Sequence, residues 1–376
     1  MNQSVKHGGN VHQVAKALGR PVSSFVDFSA SINPLGPPAS VLRAMRQALA
    51  GCVNYPDPQS EILRERLASE HGISQESILL GNGSAELIRV LPKALGLQHG
   101  YVVGPTFMEF EYSLKVAGAG CTYVHAESTR RYTPPLERLS QTLEENGLAS
   151  RMMRRKNVAS DLAVFFCHPN SPTGRVVPVQ HLRQMMRQVD QAGCWMIVDE
   201  AFIEFSSSPS LIKDVTKHQR LLVLRSFTKF YAIPGIRLGY MIGPPDVVGT
   251  IHPHLPPWSV NHVAQAAGVA ALADKYFRER SLRFIQQERR RFMSRLRAVP
   301  GLRVIPSQAN FVMVELPEGC ATERVVTRLE DQGILVRNCQ TFSGVSPSAL
   351  RLAIRRPQDN NRLVQALQGA LQECRE

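Results

Sequence analysis

The chain is predicted to be an α/β protein: a large domain on a mostly parallel central sheet, followed by a smaller α+β domain. Three observations predict this. Strand-like and helix-period segments alternate through the first two thirds of the chain. The runs Leu162–Cys167, Trp195–Val198, Leu221–Leu224 and Leu238–Ile242 are apolar with little alternation, as in strands covered on both faces. From Val260 onward the rhythm changes to long helices, then short strands and a closing helix. The implied boundaries are an N-terminal arm over residues 1–36, the large domain over 37–258 and the small domain over 259–376.

Pro37–Ala50 and Ser60–His71 read as amphipathic helices, opened by a proline and a serine signal. Ser77–Leu80 is a short strand ending at Gly81-Asn82-Gly83, and Ser84–Leu95 continues as a helix. Tyr101–Val103 and Cys121–His125 are strands with helical Phe107–Ala117 between them. After the four apolar strands, helical pattern covers about 260–298. Strands near 302–305 and 310–316, a helix near 321–332, and strands near 334–338 and 350–354 precede the last helix.

With 376 residues, 43% hydrophobic and 20% charged, the chain has ample apolar mass for a core and no signature of disorder. The N-terminus lacks an apolar leader core, and no uncharged run approaches a membrane span. Seven cysteines without a C-x-x-C pair argue against a disulfide scaffold or zinc ribbon and for reduced thiols. The expectation is a soluble cytoplasmic protein. Its net charge of +13 would attract anions, phosphorylated metabolites among them. The basic run Glu288–Arg297 reads as a helix with solvated charge over a buried stripe of Phe292, Leu296 and Val299. The run Arg151–Lys156 reads as a surface loop. Neither is interleaved with aromatics or joined to a nucleic-acid motif, so no nucleic-acid or membrane partner is expected.

Four polar motifs fall at the carboxyl ends of predicted strands, where open α/β sheets collect ligands. Gly81-Asn82-Gly83-Ser84 joins a strand to a helix; it is either a tight turn or a place where free N–H groups meet a phosphate. Asn170-Ser171-Pro172-Thr173-Gly174 follows LAVFFC. Asp199-Glu200-Ala201-Phe202 closes CWMIV, and taken alone Asp199 is equally a helix cap. Ser226-Phe227-Thr228-Lys229 is followed by Arg237; a lone lysine is usually a surface charge, but two hydroxyls and an arginine around it suit a phosphate ester.

Together, in this order and spacing, the motifs describe a site for pyridoxal 5'-phosphate (PLP). That cofactor needs an amine to hold its aldehyde, a carboxylate to keep its pyridine nitrogen protonated, and a phosphate cradle. Lys229 and Asp199 fill the first two roles. Gly83, Ser84, Ser226, Thr228 and Arg237 form the cradle, and Asn170 donates to the ring oxygen.

At these residues the chain resembles the class I/II aminotransferases of PLP fold type I over nearly its whole length. The segments His7-Gly8-Gly9-Asn10, Asp27–Gly36, Asn54-Tyr55-Pro56-Asp57-Pro58, Lys229–Gly235 and Pro257-Trp258-Ser259-Val260-Asn261 narrow the resemblance. They are similar to the threonine-phosphate decarboxylases of cobalamin biosynthesis, relatives of the histidinol-phosphate aminotransferases. The resemblance implies a homodimer in which Tyr55 reaches the cofactor phosphate of the neighbouring subunit. It implies that Arg351 grips a substrate α-carboxylate, and that Arg337 with His7, Gly8, Gly9 and Asn33 holds a substrate phosphate. Phe110 stands where relatives often carry a ring-stacking tyrosine, and Phe202 replaces another tyrosine, leaving Asn170 to bond the ring oxygen alone. The implied substrate is a phosphorylated amino acid, decarboxylated or, as the alternative, a phosphorylated amine such as histidinol phosphate that is transaminated. Trp258 is read as packing.

Overall fold

The computed structural model describes residues 8–153 and 161–374. Its central sheet has seven strands: β2 Ile78–Gly81, β3 His99–Gly104, β4 Gly120–His125, β5 Leu162–Cys167, β6 Trp195–Asp199, β7 Leu221–Ser226 and β8 Gly239–Ile242. The order across the sheet is β2-β8-β7-β6-β5-β3-β4, and only β8 runs antiparallel to its neighbours. Strands numbered outside this sheet are β1 Val26–Asp27, β9 Arg303–Val304, β10 Phe311–Glu315, β11 Ile334–Leu335, β12 Arg337–Asn338 and β13 Ala349–Ala353. β12-β13-β10-β9 form a small antiparallel sheet, while β1 and β11 pair in parallel. The α/β class and the mostly parallel sheet are as predicted.

The apolar strands are buried on both faces, and their period of two splits them between two cores. Val164, Phe166, Met196, Val198, Leu221 and Val223 enter the larger core. Ala163, Phe165, Trp195, Ile197, Leu222 and Leu224 enter a second core under the helices Ser84–Ala94, Glu109–Val116 and Pro245–Ile251. Continuing the second parity to the strand ends gives Cys167, Asp199 and Ser226. Cys167 and Asp199 are paired across β5 and β6, and Ser226 pairs with Gly239, which also pairs with Gly81. The sheet register therefore lines up four strand ends on one edge.

Three predicted elements change. The helical stretch 260–298 is two helices, His262–Ala273 and Lys275–Arg297, broken at Asp274. The Asp274 carboxylate caps the second helix at Phe277 N (2.9 Å) and accepts from Ser40 Oγ (2.6 Å). Ser60 does not cap the helix Glu61–His71: it sits at φ +48°, and Asp57 takes the Glu61 N–H instead (2.6 Å). The helix Leu136–Met153 absorbs residues 151–153 of the basic run read as a loop; residues 154–156 lie outside the described residues. The stripe Phe292, Leu296 and Val299 is buried as expected. No described helix is long and apolar enough to cross a membrane.

Candidate active site

The strand ends open into a cavity of about 350 Å³ between the central and small sheets. Ser84, Asp199, Ser226, Thr228, Lys229, Arg237, Arg337, Arg351 and Gly8 all line it. This is within the size range of small-molecule sites. A larger hollow of about 970 Å³, lined by Asp57–Ser60, Ile78–Leu80 and Pro245–Val260, contains none of these groups.

Asp199 ends β6 wholly buried, with Oδ1 accepting the Ala201 N–H at 2.9 Å. Burial pushes its carboxyl up to about 6, although the Ala201 bond and the charge of Lys229 pull the other way. Lys229 sits in the helical turn Phe227–Phe230 after β7. Burial, then the charges of Arg351 and Arg237, lower its ammonium to about 8, so an appreciable fraction is free amine at neutral pH. A buried acid and a half-buried base are thus both brought toward neutrality, a mark of functional sites.

The cradle residues converge. Ser226 Oγ lies 2.7 Å from Thr228 Oγ1 and accepts the Thr228 N–H at 3.3 Å. Ser84 is the first residue of the helix Ser84–Ala94, whose opening N–H groups face the same edge. Gly83 precedes it at φ +82°, and a Cβ there would strike the Arg237 guanidinium. Arg237 itself is left-handed (φ +60°) and donates to Pro234 O at 3.3 Å. Glu86 closes the turn by accepting the Asn82 N–H at 2.6 Å and Ser259 Oγ at 3.0 Å.

Opposite this cradle, Arg351 donates to Ser171 Oγ (3.0 Å) and Ser29 O (2.9 Å), leaving Nε unpartnered. Burial lowers it to about 10, still a cation at neutral pH. Arg337 donates to Thr341 Oγ1 at 2.9 Å and lies over the Phe342 ring, 5.2 Å from its centroid.

Several expected residues lie elsewhere. Phe110 is fully buried in the second core against Phe165, at 5.3 Å between centroids, and does not line the cavity. On this side of the cleft the ring that lines it is Phe107, in the loop between β3 and the helix Glu109–Val116. Its signal was its place just past a strand end. Asn33 is buried away from the cavity, its Nδ2 donating to Phe230 O (2.8 Å) and Ser281 Oγ (2.9 Å) and its Oδ1 accepting from Leu35 N. That amide locks the chain beside Lys229 and has no donor left for a phosphate. The Gly9 N–H is likewise taken, by Ser29 Oγ at 2.8 Å, whereas Gly8 lines the cavity and a Cβ on it would strike Ser29 O. Both Asn170 N–H groups are taken, by Pro105 O and Thr173 Oγ1 (2.8 Å each), and its buried Oδ1 is unpartnered. Donation to a ring oxygen requires one of them to be released. His7 lies outside the described residues. Tyr55 does not line the cavity; it is 78% exposed and stacked on Trp258 at 4.3 Å.

The model of the family named aminotransferase class I and II matches residues 23–367. The threonine-phosphate decarboxylase of Salmonella typhimurium is 34% identical over 97% of this chain and 96% of its own length. The histidinol-phosphate aminotransferase of Symbiobacterium thermophilum is 32% identical over 97% of this chain and 95% of its own. Among solved structures, the histidinol-phosphate aminotransferase of Sinorhizobium meliloti in complex with pyridoxal-5'-phosphate has a TM-score of 0.83 at 23% identity, covering 99% of this chain and 96% of that one. Fold, strand-end chemistry and full-length similarity agree: the chain belongs to the class I and II aminotransferase family.

Proposed function

We propose that this chain is a PLP-dependent lyase that decarboxylates L-threonine O-3-phosphate to (R)-1-amino-2-propanol O-2-phosphate. The observation that carries it is the pairing of Arg337 with Arg351 across β12 and β13, in the cavity that also holds Lys229 and Asp199. Two buried guanidiniums side by side suit a small substrate with two anionic groups, here a carboxylate and a phosphate.

The residues fit the cofactor. The cradle glycine, at φ +82°, lies against the Arg237 guanidinium, two hydroxyls converge on a helix start, and an amine and a buried carboxyl line one cavity. When bound, PLP supplies an electron sink for the electrons released at the substrate's Cα. Ser84, Ser226, Thr228 and Arg237 hold its phosphate, and Asp199 holds the proton on its ring nitrogen. Arg351 grips the α-carboxylate and Arg337 the phosphate, which sets which Cα bond is turned toward the sink. When the Cα–carboxylate bond breaks, CO₂ leaves, and Lys229, poised near 8, carries a proton to that carbon. Phe107, Phe202 and Phe342 give the cavity an apolar wall.

We also infer a homodimer with shared sites. Tyr55 and Trp258 form an exposed aromatic stack, and Leu49, Val53 and Ile62 are exposed on neighbouring segments. Transamination of a phosphorylated amine uses the same Lys229 and Asp199 and is the second reading, favoured by the histidinol-phosphate aminotransferase similarity. A product assay on a panel of amino-acid phosphates, with and without 2-oxoglutarate, separates the two. CO₂ release without 2-oxoglutarate supports the decarboxylase; turnover only with 2-oxoglutarate overturns it.

A further inference from the structure

The two arginines divide the cavity by charge and leave open what recognises the carbon between the two anions. In threonine phosphate that carbon bears the phosphate ester and a methyl; in serine phosphate it bears only the ester. The surface that meets it must be apolar and must lie beside the phosphate-holding guanidinium.

The large apolar side chains lining the cavity, as distinct from the small Ala30, Ala85, Cys167 and Ala201, come from two places. Phe107, Met108 and Phe202 follow the ends of β3 and β6, the strands on the Asp199 side. Phe342 alone comes from the loop between β12 and β13, and its ring packs under the Arg337 guanidinium at 5.2 Å. A phosphate held by Arg337 therefore brings its ester carbon alongside Phe342.

That ring is held in place. Phe342 N bonds Cys339 O (2.9 Å), and its carbonyl accepts from Val345 N (3.2 Å). Thr341 Oγ1 accepts from Arg337, and Ser343 Oγ lies 3.2 Å from His125 Nε2. Gly344, at φ +81°, packs so closely on the His125 ring that a Cβ there would collide with it. One side of the Phe342 ring is buried with Ala126, Tyr132, Ile305, Met313 and Ala349, so the loop cannot withdraw it without opening that cluster.

We propose that Phe342 is the specificity-determining residue of this site, contacting the methyl on the phosphate-bearing carbon and thereby selecting threonine phosphate over serine phosphate. The assignment rests on the decarboxylase reading. One methyl in an apolar pocket is worth roughly ten- to two-hundredfold in kcat/KM.

The test is steady-state CO₂ release from both substrates by the PLP-loaded wild type, Phe342→Leu and Phe342→Tyr. The wild type should prefer threonine phosphate by about tenfold or more. Phe342→Leu should cut that ratio about fivefold or more, mainly through the threonine-phosphate rate, and Phe342→Tyr, which keeps the ring, should retain it. The ratio is read within one preparation, so a fraction of misfolded variant does not move it. If Phe342→Leu slows both substrates equally, or the wild type does not distinguish them, the ring is only packing and the proposal is overturned. If the wild type releases no CO₂ from either substrate while loading with cofactor, the decarboxylase reading itself fails and takes the proposal with it.

Discussion

Arg337 and Arg351 are direct cross-strand partners on β12 and β13, so two guanidinium groups share one face of the small sheet. Neither is ion-paired to a carboxylate among the described residues. Like charges directly opposite each other oppose folding, and burial adds a desolvation penalty to both. The sheet tolerates this pair at the cavity wall, which is where an anion would offset it. Elsewhere the chain neutralises a buried arginine itself: Arg225, on the other face of the sheet behind Ser226, pairs with Glu200 (3.2 Å) and Glu204 (2.6 Å).

This contrast predicts opposite effects on binding and stability. Arg337→Met should raise KM for a phosphorylated amino acid about ten- to a hundredfold, the cost of losing one charge-assisted contact. The ligand-free variant should be at least as stable to urea as the wild type, because a like-charge neighbour is gone. PLP affinity should not change. A drop in unfolding midpoint with unchanged KM would mean that Arg337 is structural.

Asp199 predicts a pH dependence. In the unfolded chain it titrates near its ordinary 3.8, and in the fold burial raises it to about 6. Between those values the folded protein holds more protons than the unfolded one, so stability falls as pH rises from about 4 to 6. The penalty is small at pH 4, vanishes below the unfolded value, and is in full force above pH 6. In the cofactor-free protein, Asp199→Asn should therefore raise unfolding stability at pH 7.5 by about 1–3 kcal/mol and change it far less at pH 4. The same substitution should remove most turnover. Urea titrations at the two pH values check the first expectation; equal midpoint changes at both would refute it.

Phe107 holds the cleft position that the resemblance implied for Phe110. Phe110→Ala empties a fully buried position and should cost about 3–5 kcal/mol of stability. Phe107→Ala removes a half-buried cleft ring and should cost less than half as much while weakening PLP binding. Denaturation together with cofactor titration distinguishes them.

This difference also marks how far the sequence was legible. Asp199, Ser226 and Lys229 could be read because each follows a largely apolar run, and strand ends gather on one edge of a parallel sheet. Asn33 and Phe110 could not, because side-chain direction depends on tertiary partners. The Asn33 amide bonds Phe230 and Ser281, 197 and 248 residues away. That Arg337 and Arg351 are cross-strand neighbours was hidden for another reason. Residues 334–338 read as one strand, yet Ile334–Leu335 pairs with β1 while Arg337–Asn338 joins β13. Only that change of sheet sets Arg337 opposite Arg351.

Tyr55 supplies the test of a shared site. It is exposed and stacked on Trp258, and it does not line the cavity of its own chain. If each site borrows Tyr55 from the other subunit, Tyr55→Ala and Lys229→Ala impair different chains of the same site. A heterodimer of the two variants then has one site carrying both changes and one carrying neither. Each variant alone should be inactive or nearly so, and Lys229→Ala should lose the adduct trapped by borohydride. Unfolding and refolding the two together should restore about a quarter of wild-type turnover, since random pairing makes half the dimers mixed and each has one intact site. No recovery, with sedimentation showing that dimers had formed and exchanged, would place Tyr55 outside the neighbouring site. Full inactivity of Tyr55→Ala as a monomer would show instead that the Tyr55–Trp258 stack serves assembly.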